Sequence, residues 1–96
     1  AADVYKRQEQ YKFAVSFIKV GDYDTAELAL CDFVFNNSIH LLAGIAQYWY
    51  GVTFRVRQLY QDAAKAYLNG YEKYPKSAKK RQVFRWKEAW GLDRDN

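Results

Sequence analysis

Slid against itself by 37 residues, the chain meets its own pattern of small and large side chains. Tyr23 falls on Tyr60, Asp24 on Gln61, Ala26 on Ala63, Ala29 on Ala66, Leu30 on Tyr67 and Val34 on Tyr71. Upstream, Phe13 falls on Tyr50, Ala14 on Gly51 and Phe17 on Phe54. The matched positions are spaced by three and four, which is the period of one helix face. A recurrence of this length is the mark of stacked supersecondary units, because one helical hairpin cannot bury its apolar face alone.

Phe13, Ala14, Phe17 and Ile18 make one stripe, and Ala26, Ala29, Leu30, Phe33 and Val34 make the next. Gly21 is placed to take the left-handed conformation that ends a helix, and Asp22 to cap the helix that follows. Pro75, the only proline, stops a fourth helix, and Ser77 can cap a fifth. No segment alternates with a period of two for long enough to compete as a strand. The expected fold is all-α, with helices over 8–20, 23–36, 40–57, 60–74 and 78–90.

The 96 residues suffice for one modest core, and half of them are hydrophobic, so the chain can collapse. No apolar run approaches the roughly 18 residues that span a bilayer. One cysteine, Cys31, rules out an internal disulfide and a multi-cysteine zinc site. Cys31 is expected to act as a small hydrophobe beside buried positions. One histidine, His40, at the start of the third helix, reads as a surface or capping residue rather than a catalytic one. Asp22, Asp24 and Asp32 lack calcium-loop spacing, and no glycine-rich phosphate loop follows a strand. The residues call for no cofactor, no metal and no enzymatic activity.

The net charge of +4 is unevenly placed. The stretch from Lys73 to Lys87 carries +7 with no acid, and the rest carries −3. A solvated helix face is the plain reading of that stretch, and a nucleic-acid surface is the sharper one.

The stretches FAVSFIKVGDYDTAELAL and YGVTFRVRQLYQDAAKAYLNGYEKYP resemble the tetratricopeptide repeat. That repeat sets small residues where its paired helices cross and large ones in the gaps between them. The resemblance implies two repeats over 9–76, with three residues more than the usual 34-residue period placed near Asn36, Asn37 and Ser38. A partial third repeat or capping helix would occupy 77–96. In a repeat of this class the first helix of each pair lines a concave groove. That phase nominates Tyr11, Val15, Ile18 and Lys19 from the first repeat and Tyr48, Trp49, Val52, Arg55 and Val56 from the second. Arg85 would come from the fifth helix. Tyr48 and Trp49 can equally be core, since a helix pair this small must bury its large rings. No asparagine stands at a groove position, so a clamp for carboxylate tails is disfavoured.

Three stretches sharpen the resemblance: KVGDYDTAELALCDFV, LAGIAQYWYGVTF and YQDAAKAYLNGYEKYPKS. Together they are similar to the C-terminal repeat domain of the YbgF/CpoB family, over residues 10 to 80. The Ala46–Gly51 run AQYWYG is the most specific part. The resemblance implies a periplasmic, non-enzymatic module of the Tol–Pal system. It would bind TolA, with a peptidoglycan synthase complex as a further candidate partner, coupling outer-membrane constriction to septal synthesis during cell division. It also implies a signal peptide and an oligomerising coiled coil upstream. A BamD-like repeat of an outer-membrane assembly lipoprotein is the alternative, and an RNA-binding helical repeat using Trp86 or Trp90 is a third.

Both ends depart from the family pattern. Residues 3–8, DVYKRQ, read as the translation of a sequencing adapter, which makes 1–8 a non-native segment. After Ser77 the leucine-rich continuation is replaced by AKKRQVFRWKEAWGLDRDN, as a reading-frame slip in an environmental sequence would produce. Val83, Trp86, Ala89 and Trp90 still share a helical face.

Overall fold

The computed structural model describes residues 2–75. They form four helices: α1 (Ala2–Lys19), α2 (Tyr23–Asn36), α3 (Leu41–Val56) and α4 (Tyr60–Lys73), with no strand among the described residues. The all-α helical-hairpin fold is the one the periodicity requires. The fifth helix expected over 78–90 lies outside the described residues, as do Arg85, Lys79 and Lys80. The first helix begins at Ala2, ahead of the expected residue 8. The physical reason is local: Ala, Lys, Arg, Gln and Glu dominate the opening turns and nothing there breaks a helix.

The 37-residue recurrence is visible atom by atom. Helices α2 and α4 are both 14 residues long and begin at Tyr23 and Tyr60. Phe13 and Phe17 meet edge to face at 4.9 Å and 77°, and Tyr50 and Phe54 do so at 5.0 Å and 79°. The Ser16 hydroxyl donates to the Phe13 carbonyl, and the Thr53 hydroxyl donates to that of Tyr50. The turns recur as well. Asp22 N donates to Phe17 O at 2.9 Å, and Leu59 N donates to Phe54 O at 2.9 Å. Gly21 adopts φ 81°, and its counterpart Gln58 adopts φ 63°. Glycine takes that conformation freely, whereas glutamine is strained by it. Asp22 caps α2 by accepting from Thr25 N, whereas Leu59 offers α4 no side-chain cap.

Helix α2 packs against both α1 and α3, α1 reaches α3, and α4 packs on α3 alone. The helices therefore form an open array rather than a closed four-helix bundle. Ala14, Ala26, Leu30, Phe33 and Ala46 make one core cluster, and Val52, Ala63 and Tyr67 make the second. Ala26 and Ala63 are fully buried at the two helix crossings, where their small side chains let backbones approach. Leu30 and Phe33 supply the bulk, each contributing about 1.5–3 kcal/mol through burial.

Two polar ties join the hairpins. Arg57, the C-cap of α3, bonds Asp24 Oδ1 at 2.8 Å and Glu27 Oε1 at 2.7 Å on α2. Its Nε donates to the Thr53 carbonyl at 2.8 Å, and its guanidinium lies 5.3 Å from the centre of the Phe54 ring. At the other end, the Tyr74 hydroxyl donates to the Ser38 carbonyl at 2.8 Å.

Candidate partner-binding face

Helices α1 and α3 meet, and the described residues nominated from the groove phase are carried by these two helices as one candidate face. Tyr11 and Trp49 sit at its centre. Tyr11 is half-buried, with its ring edge-on to Phe33 at 5.9 Å. Burial raises its hydroxyl pKa, and a hydrogen bond from Trp49 partly offsets that rise. Trp49 packs against both core clusters and so joins the two hairpins. Its other neighbour is Tyr48, met edge to face at 5.7 Å. Tyr48 in turn stacks on the buried ring of Tyr67 at 5.3 Å and 29°. Tyr48 and Trp49 are each half-buried, partly packed as the core reading expects and partly accessible.

Arg55 is half-buried one helical turn beyond Val52. Burial pushes the Tyr67 hydroxyl up to about 12, with the Arg55 charge opposing the rise. That opposition places the Arg55 charge within electrostatic reach of the aromatic cluster. Val15 and Ile18 are half-buried against the first cluster, Lys19 is exposed at the end of α1, and Val56 is exposed near the end of α3.

Val52 is a correction. It is 4% exposed and belongs to the second core cluster, so it presents no surface to a partner. The groove phase and the core stripe of α3 overlap at this position, and contact with α4 decides it. Cys31 is a second correction, because it is exposed rather than packed as a small hydrophobe. It follows the fully buried Leu30, and one residue turns a helix by about 100°, enough to carry its side chain out of the core. His40 holds the capping role read for it, with Nδ1 accepting from Leu42 N at 3.1 Å.

Two members of the face were missed by the groove phase. Leu41 is 74% exposed and Ile45 is 38% exposed. They continue the stripe of Tyr48, Trp49 and Val56 along α3 at helical spacing, so the signal was present in the same periodicity. Arg57 was also missed. Its carboxylate partners lie 30 and 33 residues away, beyond what local pattern reports.

Among the described residues no group of three or more His, Cys, Asp or Glu side chains is placed to hold a metal ion. No helix of the described residues is long and apolar enough to cross a membrane. A cleft of about 450 Å3 lies between α1 and α2 around Lys6, Arg7 and Asn37, and contains none of the nominated residues. Comparison of the chain with protein-family models, curated proteins and solved structures gave no match.

Proposed function

We propose that the chain is a non-enzymatic protein–protein interaction module built from two tetratricopeptide-type repeats. In this reading the α1–α3 face binds a TolA-like protein of the periplasmic Tol–Pal system, in the service of cell division. The AQYWYG run and the resemblance to the YbgF/CpoB family supply the identity of the partner. The observation that carries the binding role is the stripe Leu41, Ile45, Tyr48, Trp49 and Val56 along α3, apolar, accessible and bordered by Arg55. Aromatic rings and arginine are the residues that most often anchor interfaces, and rigid helices hold them here without a further ordering cost.

Ile45→Asp and Arg55→Glu test the reading by titration against the periplasmic domain of TolA. The helical content of each variant, measured alongside, separates a loss of binding from a loss of fold. Each substitution should weaken binding by about 1–3 kcal/mol. Parental affinity in both variants would remove the α1–α3 face as the site.

A further inference from the structure

The opposite side of the array carries a furrow. Helices α2 and α4 both flank α3 without close approach of their backbones among the described residues, so the furrow runs between them with α3 as its floor. Its cavities measure about 400 Å3 at the Lys73 end and about 220 Å3 at the Asp62 end, and both are lined by Gln47, Tyr50 and Asn69. The polar ties already described stand at either end: Tyr74 to Ser38 at one, Arg57 to Asp24 and Glu27 at the other. The furrow is therefore held at a set width before any ligand arrives.

Its two walls differ in chemistry. The α2 wall presents Val34 and the 82%-exposed Phe35, with the thiol of Cys31 beside the Tyr50 hydroxyl. The α4 wall presents Lys65, Asn69 and Lys73, four residues apart and so on one face of the helix. Charge is graded along the length. At the Arg57 end the charges balance, with Asp62 and Lys65 lining one cavity and Glu27 paired to Arg57, whereas among the described residues Lys73 is the one charged side chain lining the cavity at the other end. From Asp62 to Lys73 the wall runs about 16 Å, the span of about five residues of extended chain.

We propose that this furrow binds an extended segment of a partner protein. The segment carries a carboxylate held by Lys73 and Asn69, preceded by an apolar side chain laid against Val34 and Phe35. The site is independent of the α1–α3 face, and its failure would leave that reading intact.

The test uses the full chain and a fluorescein-labelled Thr-Phe-Thr-Phe-Glu-amide peptide, with the Gln-terminated peptide as its neutral control. Cys31 is the only cysteine and lies in the furrow, so its rate of alkylation by iodoacetamide reports occupancy. The acidic peptide should slow alkylation at least tenfold at saturation and bind at least tenfold more tightly than the neutral one. Lys73→Glu should abolish the protection, and Asn69→Leu should weaken it. Lys12→Glu, on the exposed surface of α1, should leave it unchanged. Binding without protection of Cys31 would place the peptide elsewhere, on the lysine-rich stretch from Lys76 to Lys87, and would overturn the proposal. Equal protection by the two peptides, or full protection in Lys73→Glu with parental helical content, would overturn it as well.

Discussion

A Cβ atom at Gly51 would stand 2.5 Å from Cε1 of Tyr67 and 2.7 Å from its Cδ1. The ring cannot yield easily, because Tyr67 is 1% exposed and stacked on Tyr48. This contact makes α3 and α4 a close pair and sets the second hairpin's geometry. Gly51→Ala should therefore cost about 1–3 kcal/mol despite the better helix propensity of alanine. Chemical denaturation would measure it, and a stabilised variant would show that the ring has room to move.

Gln58 stands where the first hairpin has Gly21, and it adopts the same left-handed conformation at φ 63°. A side chain there costs about 1–2 kcal/mol, and glycine loses roughly 0.5–1 kcal/mol through extra freedom in the unfolded chain. Gln58→Gly should stabilise by about 0.5–1 kcal/mol, whereas Gly21→Ala should destabilise. Thermal melts of the two variants should move in opposite directions.

Arg57 joins the hairpins through two carboxylates of unequal exposure. The Glu27 side chain is 30% exposed and that of Asp24 is 88% exposed, so solvent screens the second pair far more. A double-mutant cycle should give a larger coupling for Arg57 with Glu27 than with Asp24, the latter below about 0.5 kcal/mol. Equal couplings would mean that burial does not set the strength of these pairs.

Alkaline stability should report on Tyr67. An unfolded tyrosine ionises near 10, and burial holds this one near 12. Below pH 10 both states keep the proton and the contribution of burial is complete. Between pH 10 and 12 the unfolded chain releases its proton first, so stability falls by about 2–3 kcal/mol across that window. Tyr67→Phe should flatten the fall measured by denaturant titration, leaving the smaller share due to Tyr11, Tyr50 and Tyr74, whose hydroxyls burial also raises. An unchanged slope would assign the alkaline loss to other groups.

What the sequence made legible was local or periodic. Gly21 and Asp22 announced a helix end and a cap, and the 37-residue match placed Ala26 and Ala63 at equivalent crossings. What it hid depended on contacts distant in the chain. Arg57 gives no sign of its partners on α2, and nothing near Tyr74 points to the Ser38 carbonyl. On the candidate face, helical phase alone placed Val52 outward, and only the packing of Ala63 and Tyr67 against α3 turned it into core. Cys31 went the other way, because its face looks into the furrow rather than toward α1.

The proposed partner site is the α1–α3 face. Calorimetric titration of the periplasmic domain of TolA into parent, Arg55→Glu and the Lys79→Glu, Lys80→Glu double variant tests it directly. Arg55 borders the aromatic cluster midway along the array, and the two lysines lie in the basic stretch beyond α4. Arg55→Glu should lose about tenfold or more in affinity with helical content unchanged, and the lysine changes should have a minor effect. Silence of Arg55→Glu together with abolished binding in the lysine variant would contradict it and make the basic stretch the site.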